Sequence, residues 1–271
     1  MNMDGVGLTS LWVAAMRAEE SERGEPLFRD PFARDLAGEE GFEILERSKS
    51  TTPFDVPVIP IRTKWIDELF AASKLDQVVI LAAGMDARAF RLDLHDKKVF
   101  EVDRDFVLAY KRERISAPPK CERVEVPIDL RDDWPSALAV AGFDAKRPTM
   151  WLVEGLFVYL EDASVRSILE RIDALSAKGS ELAFETNNRM LLESPVMAAR
   201  VAFVRDLGAP WVFGTDDPKS LLPSTWSSAV EDFGDIGMRY GRWPFPPVPK
   251  ETPKEVLASF PRSFLVHATK L

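Results

Sequence analysis

The feature that most constrains the fold is a continuous, mainly apolar run, QVVILA, at residues 77–82, which leads into a turn of small residues. Runs of this kind are typical of strands buried on both faces of a parallel sheet, because helices cover both sides of such a sheet. Further short strands are predicted at 98–102, 122–126, 149–153 and 181–185, separated by segments long enough for crossover connections. This pattern predicts an α/β fold with alternating strands and helices.

Two helices are predicted ahead of this sheet, at residues 9–20 and 61–73, with Thr9 or Ser10 capping the first. The clearest helical pattern begins after Asp162, where apolar residues recur at intervals of three and four. We expect this helix to cross from the fourth strand to the fifth.

Two more strands, at 236–240 and 263–269, would complete a seven-stranded, mostly parallel sheet. The proline-flanked connection at 244–249 demands no βαβ crossover, so we expect the last strand to enter antiparallel.

The chain is predicted to form one domain, because it contains neither an internal repeat nor a long linker. Its expected parts are an N-terminal helical segment (1–75), a core (76–185), an inserted cap (186–223) and the C-terminal strands (224–271). The cap mixes methionine and aromatic residues with arginines, which suggests a cover over a pocket.

Composition excludes several classes of protein. The net charge of -9 disfavours nucleic acid as a partner, since nucleic acid is itself strongly negative. One cysteine and two histidines provide neither an internal disulfide nor a zinc cluster, so no metal site is predicted. A secretory signal and an apolar span of roughly 18 residues are both missing, which predicts a soluble, cytoplasmic protein without membrane contact.

Ligands of open α/β sheets bind beyond the carboxyl ends of the strands, so the turns there hold the candidate site residues. The first turn contains Ala82, Ala83 and Gly84, whose small side chains expose backbone N–H groups. Asp103 ends the second strand roughly 20 residues later, where an acid can accept hydrogen bonds from ribose hydroxyls. The alternatives are a purely structural turn and an aspartate that caps the following helix.

Asp129 and Leu130 follow the third strand, and Glu154 interrupts the apolar stretch WLVEGLFVYL at the end of the fourth. A carboxylate in that position needs a cation, because an isolated buried charge is costly. A bound ammonium group or a salt bridge to Arg62 or Arg88 would each satisfy it.

Five segments in this order resemble the leucine carboxyl methyltransferase family: IRTKWID, VVILAAGMDARAFRL, VFEVDRDFVLAYKRERI, PIDLRDDW and WLVEGLFVYL. The resemblance resumes at FLVHATK near the end of the chain. It implies a Rossmann-like class I methyltransferase fold with S-adenosylmethionine (SAM) as cofactor. The resemblance is to the branch that methylates an oxygen of small molecules such as polyketides.

The resemblance also implies roles for particular residues. Arg62 resembles the arginine that pairs with the methionyl carboxylate, and Glu154 the residue near the methionyl amine. The turn from Ala82 to Gly84 resembles the one beneath the methionyl group, and Asp103 the ribose acid. The remaining pair, Asp129 and Leu130, resembles the residues at the adenine ring.

The turn departs from the family at one position, because the family has Leu-Gly-Ala-Gly where this chain has Leu81-Ala82-Ala83-Gly84. Ala82 would weaken binding if that position required a positive φ, and would be harmless if it only donates a backbone N–H. We expect that Ala82 only donates its backbone N–H, so that the substitution is harmless.

The protein-phosphatase branch of the family also has a lysine in its N-terminal segment. The apolar stretch around Val13 has no counterpart to that lysine, which favours the small-molecule branch.

No catalytic side chain is assigned, because methyl transfer depends mainly on positioning and a carboxylate acceptor is already ionised at neutral pH. Tyr159, Tyr240 and the cap arginines are candidates for contact with the acceptor. The alternatives are a protein C-terminal carboxyl methyltransferase and a SAM-binding protein without activity. A nicotinamide oxidoreductase and a serine hydrolase are disfavoured, since the third glycine of the first and the G-x-S-x-G motif of the second are missing.

Overall fold

The computed structural model describes residues 5–52, 54, 56–246, 248–249 and 251–271; Pro247, in the proline-flanked connection, lies outside them. The helices in these residues are α1 (Gly5–Ser21), α2 (Ala33–Ser48), α3 (Val58–Ala72), α4 (Arg88–Arg91), α5 (Asp105–Arg114), α6 (Trp134–Val140), α7 (Asp162–Leu175), α8 (Arg189–Glu193), α9 (Ala198–Asp206), α10 (Phe233–Arg239) and α11 (Lys254–Ala258). The strands are β1 (Gln77–Leu81), β2 (Lys98–Asp103), β3 (Glu122–Pro127), β4 (Thr149–Val153), β5 (Glu181–Asn187), β6 (Trp226–Asp232) and β7 (Ser263–Lys270). None of the helices that the structure describes combines the length and the apolar character needed to cross a membrane.

The seven strands of the described chain form one sheet in the order β3-β2-β1-β4-β5-β7-β6. Strands β1 to β5 pair in parallel, and β7 runs antiparallel to both β5 and β6. The predicted Rossmann-like fold with an antiparallel last strand is therefore confirmed. The chain order reverses between β1 and β4, which creates a crevice at their carboxyl ends.

Strand β1 is buried on both faces, as its unbroken apolar sequence predicts. Val79 and Leu81 point toward α6 and α7, in a core that includes Trp134 and Trp151. Val78 and Ile80 point the other way, toward α3 and α10. The alternation of side chains across a strand thus fills two separate cores from one run of residues.

The prediction of a sixth strand at 236–240 is wrong. These residues belong mainly to α10, whose N-cap Asp232 accepts a hydrogen bond from the backbone N–H of Gly234. Strand β6 lies earlier, in the polar sequence WSSAVED. It is an edge strand that pairs only with β7, so it needs no continuous apolar run.

The N-terminal helices pack as a close pair above the sheet. Helix α1 begins at Gly5, so Thr9 and Ser10 lie inside it and donate to the carbonyl oxygens of Val6 and Gly7 instead of capping it. Helix α2 was not predicted. A Cβ built on Gly41 of α2 would lie 2.6 Å from the carbonyl oxygen of Leu11 in α1, which shows how tightly the helices approach.

We expect Gly41→Ala to destabilise the protein by about 1–2 kcal/mol, because the added methyl would press on rigid backbone. Urea unfolding of the two proteins would measure this difference. Gly24→Ala is the control, since nothing lies within 4 Å of a Cβ at Gly24. Equal stability of the two variants would contradict this close packing of α1 on α2.

Candidate functional site

A cavity of about 1700 Å³ opens at the carboxyl ends of β1 to β4. Its walls include parts of α1 and α3 and of the segment predicted as a cap. All of the predicted cofactor residues line it: Arg62, Ala82, Gly84, Asp103, Asp129, Leu130 and Glu154. Residues distant in the chain are therefore brought to one site, as the ion pair of Arg62 with Glu185, 123 positions apart, illustrates.

The turn after β1 is held in a left-handed conformation. Ala82 has φ 52°, and among the described residues it alone has a positive φ without being glycine. Gly84 has φ 47°, and a Cβ on it would lie 3.3 Å from the Cβ of Ser10 in α1. Our expectation that Ala82 serves only through its N–H, with no need for a positive φ, is wrong. The alanine carries the steric strain that glycine avoids at this position.

Asp103, at the end of β2, connects two backbone segments. Its Oδ2 accepts a hydrogen bond from the N–H of Gly84 at 2.7 Å, and its Oδ1 accepts one from the N–H of Arg104 at 2.7 Å. It does not cap α5, because Arg104 occupies the N-cap position. Burial raises the pKa of Asp103, while the two N–H donors oppose this shift.

Asp129 and Leu130 lie just beyond β3, on the cavity wall. The carboxylate of Asp129 accepts hydrogen bonds from the Arg131 guanidinium at 2.7 and 2.9 Å, and this interaction lowers the pKa of Asp129. Leu130 is half-buried and packs against the core on the α7 side. Together they provide an acidic group and an apolar surface next to each other.

Glu154 pairs with both of the arginines considered for it. Its Oε1 lies 2.8 Å from Nε of Arg62, and its Oε2 lies 2.7 Å from Nη1 of Arg88. Arg88 also contacts Asp67 and Asp86, and its side chain is 1% exposed. The charge of Glu154 is thus compensated by salt bridges to both arginines.

Glu185, in β5, is a second acid at this site that the sequence analysis did not identify. It pairs with Arg62, so that one guanidinium lies between two glutamates. Burial raises the pKa of Glu185 despite its pairing with Arg62. At Glu154 the two arginines, Arg88 and Arg62, outweigh the effect of burial and lower the pKa to about 2. An acid that directly follows the apolar residues 182–184 is the same signal that identified Glu154.

The candidates for acceptor contact divide into two groups. Tyr159 and Arg200 line the cavity. In the part of the chain that the structure describes, Tyr240 and the other two cap arginines, Arg189 and Arg205, are not among the lining residues. Burial raises the pKa of Tyr159, so its phenol is neutral at physiological pH and can donate a hydrogen bond.

The family model for leucine carboxyl methyltransferases matches residues 10–173. The chain belongs to this family. A Streptomyces coelicolor protein named "Putative S-adenosyl-L-methionine-dependent methyltransferase" is 38% identical over 277 residues, covering 89% of this chain and 88% of the relative. The enzyme is accordingly a SAM-dependent methyltransferase, and the resemblance and its cofactor are confirmed.

Solved structures of low sequence identity share the fold of the methyltransferase. A protein of the DUF574 family from Streptomyces avermitilis superposes with a TM-score of 0.62 at 15% identity, over 97% of each chain. Human N-acetylserotonin methyltransferase in complex with SAM gives a TM-score of 0.50 at 14% identity, over 96% of this chain and 66% of the human one. At such identities the likeness concerns the fold alone.

We expect Ala82→Gly to stabilise the methyltransferase by about 0.5–1 kcal/mol, because relief of the left-handed strain exceeds the entropy lost by a glycine. Thermal or urea unfolding would measure the gain. Ala83→Gly is the matched control. Ala83 is buried and has no positive φ, so this change should destabilise by about 0.5–1 kcal/mol. Destabilisation by both changes would show that residue 82 carries no strain.

Stability should depend on the ionisation of Glu154. Because its folded pKa of about 2 lies below the ordinary value of 4.5, its contribution is complete above pH 4.5 and is lost as the pH falls toward 2. Glu154→Gln should therefore cost about 3 kcal/mol at pH 7 and progressively less below pH 4.5.

Urea unfolding from pH 7 to pH 3 would test this dependence. Glu170→Gln, at an exposed position on α7, is the control and should have a small effect at every pH. A cost of Glu154→Gln that does not change with pH would contradict the ion pairing described here.

Proposed function

We propose that the enzyme transfers a methyl group from SAM to an oxygen, carboxylate or hydroxyl, of a small molecule bound in the same cavity. The size of the cavity carries this proposal. At about 1700 Å³ it exceeds the roughly 300–1000 Å³ of an ordinary ligand pocket, which leaves room for an acceptor beside the cofactor.

The residues at the strand ends fit the chemistry of the cofactor. Asp103 and Asp129 offer carboxylate acceptors for the ribose hydroxyls and the adenine amine, and Leu130 offers a backbone N–H to the ring. The turn from Ala82 to Gly84 allows close approach of the methionyl group. These assignments follow the order of the strands, since the turn, Asp103 and the pair Asp129 and Leu130 lie at the ends of β1, β2 and β3, respectively.

Arg62 and Glu154 would bind the methionyl carboxylate and amine, respectively. Arg62 also pairs with Glu185, and Glu154 also pairs with Arg88. Each side chain therefore keeps one oppositely charged partner when it forms hydrogen bonds with the cofactor. This limits the free-energy cost of rearranging buried charges.

The cofactor supplies an electrophilic methyl group on a sulfonium, and the task of the protein is to hold the acceptor oxygen in line with it. The cavity walls restrict the orientation of the acceptor. A carboxylate acceptor needs no base, because it is ionised at neutral pH. Tyr159 lines the cavity and would donate a hydrogen bond to the acceptor, since its phenol, whose pKa is raised further by burial, is neutral at neutral pH.

The walls favour a small acceptor over a peptide. We propose that the chain forms a single domain over 1–271, with residues 186–223 as a cap. This segment contributes Leu191, Met197 and Trp211 to the cavity lining. Apolar side chains that are 48 to 57% exposed also line the cavity: Phe54, Val196 and Phe260. An apolar secondary metabolite such as a polyketide fits this lining.

Asp103→Ala should weaken binding of S-adenosylhomocysteine by about tenfold or more, because hydrogen bonds to a charged group contribute roughly 1.5–3 kcal/mol. Calorimetric titration would measure the dissociation constant. Asp96→Ala is the matched control, since Asp96 is exposed and lies ahead of the opposite end of β2. Equal weakening by the two changes would contradict the assignment of Asp103 to the ribose.

Turnover distinguishes the proposal from its alternatives. Wild-type enzyme incubated with SAM and a panel of apolar carboxylic acids and phenols should release S-adenosylhomocysteine and an O-methylated product, detected by mass spectrometry. Methylation confined to peptides with a free C-terminus would instead indicate a protein carboxyl methyltransferase. Cofactor binding without turnover of small molecules or peptides would favour a SAM-binding protein without activity.

A further inference from the structure

Arg200, on α9, reaches the cavity wall at a corner formed by α1, α2 and the residues just after α2. Its guanidinium carbon lies 4.9 Å from the centre of the Trp12 ring, in a cation–π contact. Its Nη2 donates to the carbonyl oxygen of Ser48 at 3.3 Å. Leu45, Met197 and Trp211 line the same cavity.

Arg200 differs from the other arginines of the protein interior in having no counter-charge. Each buried arginine near the cofactor residues has a carboxylate within 4.0 Å: Arg17, Arg62, Arg88 and Arg91. Among the described residues, no carboxylate lies within that distance of Arg200. Its Nε is buried without any hydrogen-bond partner in the described part of the protein.

The nearby charges do not compensate Arg200. Glu19 lines the same cavity, but its carboxylate pairs with Lys49 at 3.3 Å. Burial alone lowers the pKa of Arg200 to about 10, which still leaves the guanidinium protonated at neutral pH. The corner therefore holds a partly desolvated positive charge that faces the space available to the acceptor.

We propose that Arg200 binds an anionic group, a carboxylate, on an otherwise apolar acceptor and thereby determines which acceptors the enzyme takes. An arginine fork binds carboxylates through two parallel hydrogen bonds, and such bonds are strong where water is excluded. A ligand carboxylate would accept hydrogen bonds from the terminal nitrogens of the guanidinium and supply its missing counter-charge, while Trp12 and Met197 contact the apolar part. This inference rests on the proposed function, because it concerns the acceptor end of the same cavity.

Matched pairs of acids and amides test this proposal: decanoate with decanamide, 4-phenylbutyrate with 4-phenylbutanamide, and 2-naphthoate with 2-naphthamide. Each would be titrated calorimetrically into wild-type protein, with and without S-adenosylhomocysteine. In at least one pair the carboxylate should bind about tenfold or more tightly than its amide, as expected for a charge-assisted hydrogen bond.

Arg200→Gln should abolish this preference, and Arg200→Lys should retain part of it, since lysine keeps the charge but loses the fork. Both variants should bind S-adenosylhomocysteine within about twofold of wild type, which shows that they are folded. Arg205→Gln is the matched control on the same helix, because Arg205 is 67% exposed and lies beside Asp206. It should leave the preference for carboxylates unchanged.

The proposal is overturned if no carboxylate binds more tightly than its amide in wild type. It is equally overturned if Arg200→Gln keeps the preference, or if Arg205→Gln removes it. Failure of wild type to bind S-adenosylhomocysteine would count against the proposed function instead, and the titrations without it would still report on Arg200.

Discussion

The geometry of the site depends on the ion pairs of the Arg88 guanidinium. This guanidinium is almost completely buried and contacts Asp67 of α3, Asp86 of the turn after β1 and Glu154 at the end of β4. A buried charge is tolerated only when its partners are closely positioned, and removing one partner leaves the others uncompensated. Arg88 therefore fixes a helix, a turn and a strand end relative to one another.

This network also explains a difference between the two ends of the cavity. At the end formed by Arg62, Arg88 and Glu154, carboxylates and guanidinium groups compensate each other within the protein. At the end near α1 and α2, Arg200 has an aromatic ring and a carbonyl oxygen but no carboxylate among the described residues. We therefore expect the end with compensated charges to suit a ligand that carries both charges, and the end with Arg200 to suit an anionic ligand.

Strands with strong local signals were predicted correctly. Strands β1 and β4 are apolar because both of their faces are covered, and the positions of the turns at the cavity follow from where the parallel strands end. Strand β6 and helix α2 were missed because their environment is set by distant partners. Strand β6 is a polar edge strand that pairs with β7, and α2 is stabilised by its close packing on α1 at Gly41. Local periodicity carries little information about either.

The sequence by itself determined the α/β class, the succession of the parallel strands along the chain, the family and most of the candidate residues at the strand ends. These properties depend on local hydrophobic patterns and on short motifs. Only the tertiary structure decided that Ala82 adopts a left-handed conformation, that Glu154 is bound between two arginines and that Arg200 has no such partner. Backbone strain and charge compensation depend on atoms brought together from distant parts of the chain, and no local pattern specifies those distances.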